Sequence, residues 1–482
     1  LRLLTRALAS TTVGALAFAL VTPTADAAVA ARPYDFDGDG HRDLVIGSPA
    51  ATVGKVRGAG LVTVVYGSAS GLNGGRRQIL SQDTKGVPGG AETDDHFGYA
   101  VASADLNNDG RADLVVSAPD EDTGKKKNVG SITVFWGTKS GLSTNAHAVP
   151  VDPEMPAGER SGLALAAGDF NRAGTGDIAY TTVHYWDWHM GDGGGYAARA
   201  RVLSSHLTRL PGHPAAARAA AGGASTTFVQ SGNVTSGKYP SLVLAWHDPS
   251  AAPKDRDGVA LFERGKNART LAARSFVKAE GGPSAVGDFN GDGFGDVAVG
   301  QPGDTGHRGG QITVYKGSAT GISAAAKTVV TADTPGVPGT RTAGGRFGAD
   351  LSAGDVNGDG RTDLAAGAPG VKPGGYAYLL LGSAAGIGGQ GAQWLSQDTA
   401  GVPGTAKPGD LFGGQVTLLD HVRERRADLV AGAPGEGGTE GSVAWVKGRA
   451  SGLLPVAAAT GHTPTSFGLG GRGARFGLVL GG

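Results

Sequence analysis

Asp355-Val356-Asn357-Gly358-Asp359-Gly360-Arg361-Thr362-Asp363-Leu364-Ala365-Ala366-Gly367-Ala368-Pro369 is the stretch on which the fold turns. It holds a nine-residue acidic loop, a short apolar run and a small-x-Pro turn. Three further copies of the loop stand at Asp35 to Asp43, Asp105 to Asp113 and Asp288 to Asp296, with turns Gly47-Ser-Pro49, Ser117-Ala-Pro119 and Gly300-Gln-Pro302. Weaker copies begin at Asp169, Asn233 and Asp420. The seven starts, 35, 105, 169, 233, 288, 355 and 420, lie 55 to 70 residues apart. A fixed self-similar period of this size indicates a repeat architecture.

Each unit carries more than the loop. Phe-Gly precedes it at Phe97-Gly98, Phe347-Gly348 and Phe412-Gly413, opening a short strand. Alternating strands such as Leu61 to Tyr66 and Ile312 to Lys316 follow the Pro turn and run into a Gly-Ser-x-x-Gly-Leu/Ile turn. Period-two runs bounded by glycine turns are strand signals. Four strands per unit, seven times over, predict an all-β, seven-bladed β-propeller of four-stranded antiparallel blades. The first loop has no Phe-Gly before it, and Phe476-Gly477 near the C-terminus has no loop after it. Pairing of N- and C-terminal strands is therefore expected to close the ring and remove an open sheet edge.

Composition agrees. Glycine makes up 86 of 482 residues, against a usual ~7%. The 43 basic and 43 acidic residues balance, which argues against nucleic acid or an anionic membrane surface as the main partner. Arg2 and Arg6, the apolar stretch from Val13 to Val21 and Ala25-Asp26-Ala27 read as a secretory signal over residues 1–27. The propeller then spans 28–482, in a secreted, extracellular protein without a transmembrane anchor. There is no cysteine, so disulfides cannot staple the ring.

The loops offer another staple. Carboxylates or carboxamides at positions one, three, five and nine, a glycine at six and an inward carbonyl at seven suit Ca²⁺, which takes six to eight hard oxygens. Four loops fit: Asp35, Asp37, Asp39, His41 and Asp43; Asp105, Asn107, Asp109, Arg111 and Asp113; Asp288, Asn290, Asp292, Phe294 and Asp296; Asp355, Asn357, Asp359, Arg361 and Asp363. The first has four acids and is expected to bind tightest. The loop at 169–177 lacks the fifth-position carboxylate, and those at 233–241 and 420–428 are expected to be empty. A competing reading makes these residues Asx turns between strands. Four copies of one ligand spacing favour Ca²⁺, at about four sites.

Together, the Phe-Gly, the Asp-x-Asx-x-Asp-Gly-x-x-Asp loop and the Gly-Ala-Pro turn (Gly367 to Pro369, Gly432 to Pro434) resemble the FG-GAP repeat family. Its members include the N-terminal seven-bladed propeller of integrin α-chains, a region of GPI-specific phospholipase D, and some fungal lectins. The resemblance implies a ligand face opposite the acidic loops, where the inter-blade connectors run.

The segment from Val183 to Gly194 is expected to be a loop on that face. Trp186, Asp187, Trp188, His189 and Asp192 in it could stack and hydrogen-bond a ligand, or the rings could pack on the rim. No cysteine nucleophile, G-x-S-x-G, H-E-x-x-H or P-loop is present. The leading reading is a binding protein for an extracellular carbohydrate or protein ligand. The alternative is a secreted polysaccharide hydrolase or lyase working at the same face.

Overall fold

The computed structural model describes residues 31–72, 74–151, 155–183, 186–190, 198–200, 226–235, 239–247, 257–266, 271–451, 459–470 and 473–481. The expected signal segment lies outside them. The fold is an all-β propeller with four-stranded antiparallel blades. Six of these blades are each built from one continuous stretch of chain, in the order inner to outer strand. The remaining four-stranded sheet is composite. It joins Leu44–Ser48, Leu61–Val65 and Arg77–Leu80 to an inner strand from the far end of the chain, Val479–Gly481. Antiparallel register sets Val45 against Gly481 and Gly47 against Val479. Six continuous blades are thus joined by one four-stranded sheet assembled from both ends of the chain.

The inner strands follow one another around the axis as Val101–Ala104, Leu165–Gly168, Thr226–Gly232, Ser284–Gly287, Leu351–Gly354, Gln415–Leu419 and Val479–Gly481. Each touches the next, and the last touches the first, around a central channel. Second strands such as Asp113–Ala118 and Asp363–Ala368 are buried along their whole length, because neighbouring blades cover both faces. That is why they read as unbroken small and apolar runs rather than as alternations. Outer strands such as Lys327–Val330 are largely exposed. The core lies between blades: one cluster joins Phe36, Val45 and Val64 to Leu114, Val116 and Phe135 of the next sheet.

The two repeat motifs meet at the seams. Phe97, Phe347, Phe412 and Phe476 are all buried, each burial being worth roughly 1.5–3 kcal/mol. The glycine after each phenylalanine presses its carbonyl onto the preceding blade. A Cβ on Gly47 would lie 2.2 Å from the Gly98 oxygen, one on Gly367 2.0 Å from that of Gly413, and one on Gly432 2.2 Å from that of Gly477. Only glycine fits there, so the Phe-Gly of one blade and the small-x-Pro turn of its neighbour form a single contact.

One expectation is corrected here. Trp186–Met190 is not a connector loop but the third strand of its sheet. It pairs with Asp177–Thr181, Trp188 opposite Ala179 and Trp186 opposite Thr181, and with Ala198–Ala200 on its other side.

A belt of aspartate loops as a candidate metal centre

Each acidic loop leads into the second strand of its sheet, and all but the first do so directly from an inner strand, so they lie at one end of the propeller. The backbone of the loop is shaped by its first residue. Asp105 accepts the N–H of Asp109 at 3.1 Å and of Gly110 at 3.0 Å. Asp288 accepts those of Asp292 at 3.0 Å and Gly293 at 2.8 Å. Asp35 accepts Gly40 N–H, and Asp355 accepts Gly360 N–H. Asp169 and Asp420, in the degenerate copies, do the same for Gly174 and Arg425. Asx turns proper are present as well, with Asp37, Asn107, Asn171, Asp292 and Asn357 accepting the N–H two residues on, so the Asx-turn reading is geometrically real in these five loops. Position six is left-handed throughout, as at Gly40 (φ 89°) and Gly360 (φ 86°), and even where Arg425 occupies it (φ 61°). Glycine takes that conformation without strain.

The ninth residue has work that its spacing did not reveal. Asp43 accepts the Phe36 N–H at 3.0 Å and the Gly67 N–H at 2.9 Å. Asp113 takes Leu106 at 2.9 Å and Gly137 at 2.8 Å, and Asp363 takes Val356 and Gly382 at 2.8 Å each. Asp296 takes Gly317 at 2.8 Å. Each is a buried staple between its own loop and the Gly-Ser or Gly-Thr turn of the same blade. Asp428 makes the same pair of bonds, to His421 at 3.3 Å and Gly448 at 3.0 Å, although Val422 stands at position three of its loop. The staple therefore does not depend on a complete ligand set. Burial pushes Asp113 and Asp428 up to about 7, and Asp296 and Asp363 up to about 6.

Convergence is greatest in the first loop. Oxygens of Asp35, Asp37 and Asp39 all lie within 4.8 Å of one another. Asp35 Oδ1 is buried and has no hydrogen-bond partner. Burial, then the neighbouring Asp39 charge, raises the Asp35 pKa. An unpartnered buried carboxylate oxygen among other carboxylates is costly unless a cation completes it. The residues fit a hard cation. Arg76 takes one side, pairing with Asp37.

The other three complete loops hold their side chains differently. Asn107 and Asn357 turn their amides toward Asp109 and Asp359, at 3.4 and 3.3 Å. Asn290 turns toward Asp296, at 3.1 Å. Each fifth-position aspartate has a cationic neighbour: Arg111 at 3.5 Å, Lys316 at 3.2 Å and Arg361 at 3.7 Å. The seventh-position N–H donates to the fifth carboxylate in all four loops, from His41, Arg111, Phe294 and Arg361, at 2.8 to 3.0 Å. Neighbouring loops also interlock. The Arg111 side chain lies over Gly38, Arg361 over Gly291 and Arg426 over Gly358.

At the opposite end the connectors frame a cleft of about 1050 Å³, lined by Glu92, Asp94, Asp95, Asp120, His96 and Arg160 among others. Asp120 is its pivot, bonded to His96 Nδ1 at 2.8 Å and to Arg160 of the next blade at 2.7 Å. Those partners hold its carboxyl below the usual range against the opposing effect of burial, and the hydrogen bond to Asp120 raises His96. Nothing in the repeat pattern marks this clasp, because the Asp120 position is Ala50, Gly303, Gly370 or Gly435 in other units. The connector aspartates Asp83, Asp333 and Asp398 cap their own loops, accepting the N–H of Ala91, Arg341 and Ala406. Of the expected ligand residues, Trp186, Asp187, Trp188 and His189 belong to the strand described above, and Asp192 lies outside the described residues.

The FG-GAP repeat model matches the chain at 28–65, 97–135, 284–315 and 347–380. These segments coincide with the four complete acidic loops. Phosphatidylinositol-glycan-specific phospholipase D of Mus musculus is 32% identical over 117 residues, 24% of this chain and 14% of that protein. Integrin alpha-3 of Cricetulus griseus is 29% identical over 196 residues, 37% of this chain and 18% of that protein. The chain thus spans less than a fifth of the length of either relative. Among solved structures, AofleA from Arthrobotrys oligospora aligns with a TM-score of 0.38 and 8% identity, over 76% of this chain and 85% of that one.

Proposed function

The chain carries FG-GAP repeats closed into a β-propeller, and from that premise we propose a secreted, seven-bladed, calcium-stabilised module that binds an extracellular carbohydrate or protein ligand. The observation that carries the calcium part is the buried, unpartnered Asp35 Oδ1 set within the Asp35, Asp37 and Asp39 cluster. Asp35, Asp37 and Asp39 would hold the ion in the first loop. The Asp105, Asp288 and Asp355 loops would do so after their Asn and Asp side chains rotate inward. At dissociation constants of ~10⁻⁴–10⁻³ M, millimolar Ca²⁺ adds about 0.4–1.4 kcal/mol per site. Chelation with EDTA is expected to lower the melting temperature and Ca²⁺ to restore it. Asp35→Asn should remove one ion from the bound count. A melting curve that ignores both chelator and Ca²⁺ would sink the staple.

The ligand is assigned to the connector end, where the charged cleft around Asp120 lies. A glycan array, read beside a reducing-sugar release assay on the same polysaccharides, separates binding from hydrolysis. Among the described residues no helix is long and apolar enough to cross a membrane. Export rests on the N-terminal segment alone, and N-terminal sequencing of protein recovered from the medium should begin near Ala28.

A further inference from the structure

The central channel holds a charge that the binding reading does not use. Arg42 is the eighth residue of the first acidic loop, and it lines the channel. The equivalent residues of the other complete loops are Ala112, Gly295 and Thr362, so the charge is peculiar to this blade. Among the described residues the guanidinium has no hydrogen bond or ion pair, and its Nε is buried without a partner. Asp35 and Asp420 act on it only from a distance. Asp420 spends both carboxylate oxygens on the N–H groups of Glu424 and Arg425.

A second donor stands at the same end. Ser103, on the neighbouring inner strand, also lines the channel. Its oxygen accepts the Tyr34 N–H at 2.8 Å, which leaves the hydroxyl proton to donate. The Tyr34 carbonyl in turn accepts the N–H of Asp43, next to Arg42. Tyr34 therefore links the serine to the backbone beside Arg42 through two hydrogen bonds. The other channel-lining ions, Asp350 and Arg346, belong to the opposite end, before the inner strand Leu351–Gly354. The channel measures about 700 Å³, enough for a small molecule and not for a chain.

We propose that the central channel is a binding site for a small oxyanion, a carboxylate or a sulfate- or phosphate-type group, held by the Arg42 fork with Ser103 as second donor. A guanidinium presents paired donors that match such groups in two-point contact. An enclosed cation without a partner is costly, and a bound anion offsets that cost. The chloride ion lacks the two-point match and is the natural control.

The test uses the full chain with Ca²⁺ held constant. Melting and calorimetric titrations compare sodium acetate and sodium sulfate with sodium chloride at equal ionic strength. A saturable rise in melting temperature with acetate, sulfate or both, absent with chloride, is expected, and the two arms tell carboxylate from tetrahedral oxyanion. Arg42→Gln should weaken that binding at least tenfold with the calcium count unchanged. Arg42→Lys, which keeps the charge and loses the fork, should weaken it at least threefold and keeps the test valid if the glutamine variant does not fold. No difference between the three salts in the wild-type protein overturns the proposal. So does an equal response in wild type and variants, which would be a general salt effect on the surface.

Discussion

Asp428 separates structure from metal binding at the level of one side chain. Its loop lacks a ligand at position three, yet it makes the same two bonds as Asp43, Asp113 and Asp363. Asp428→Ala would strand two buried N–H groups, at about 1–3 kcal/mol each. A loss of roughly 2–6 kcal/mol is expected with no change in bound calcium, measured by denaturant unfolding beside metal analysis. Asp428→Asn keeps one acceptor oxygen and should lose about half as much. Asp350 supplies a pH test away from the loops. Its carboxylate accepts the Val416 N–H at 2.7 Å, and burial raises it to about 7. A carboxyl raised in the folded state contributes stability below an unfolded pKa near ~4 and loses it as pH rises through about 7. Asp350→Asn should therefore melt roughly 2 °C or more above wild type at pH 8 and alongside it at pH 4.5. Equal curves at pH 8 would show that the carboxyl is well solvated.

Strands were legible wherever the repeat was intact, and one was misread where it was not. Phe-Gly, the acidic loop and the Pro turn share steric causes, so each strong copy locates an inner strand, a loop and a second strand together. The stretch after Asp177-Ile-Ala-Tyr180 has no such turn, and Trp186 to Met190 therefore looked like a connector. Backbone pairing makes it the third strand of a blade. Aromatic residues suit strands, so Trp186 and Trp188 are expected to matter for stability first. Their joint change to Ala should cost roughly 1–2 kcal/mol with the calcium count intact. Unchanged stability with loss of a glycan-array signal would return these rings to the ligand site. The candidate metal loops were readable because ligand spacing is local. The Asp120 clasp and the Arg42 channel site were not, since each joins residues from different blades that share no motif.

At the scale of the whole ring, closure depends on the C-terminal segment. Val479–Gly481 is the inner strand of the composite sheet, and it also touches the inner strands on both sides. Phe476 is fully buried against Val443, Trp445 and Phe467, and the Gly477 carbonyl presses onto Gly432. Removing 475–482 takes away a core phenylalanine, a strand and the seam between first and last blades together. Strand Leu44–Ser48 would then present unpaired backbone groups on its inner edge, a template for another chain. A ring also differs from an open array in how damage spreads. In a linear stack each unit leans only on its neighbours, whereas an opened ring loses the contact that ties both ends. The truncated protein is expected to melt well below wild type or to associate, seen by calorimetry and by light scattering behind size exclusion. Association that disappears when a peptide of residues 475–482 is added would identify the empty strand position as the cause. A monomer melting with the wild-type protein would mean the ring holds without its closing strand.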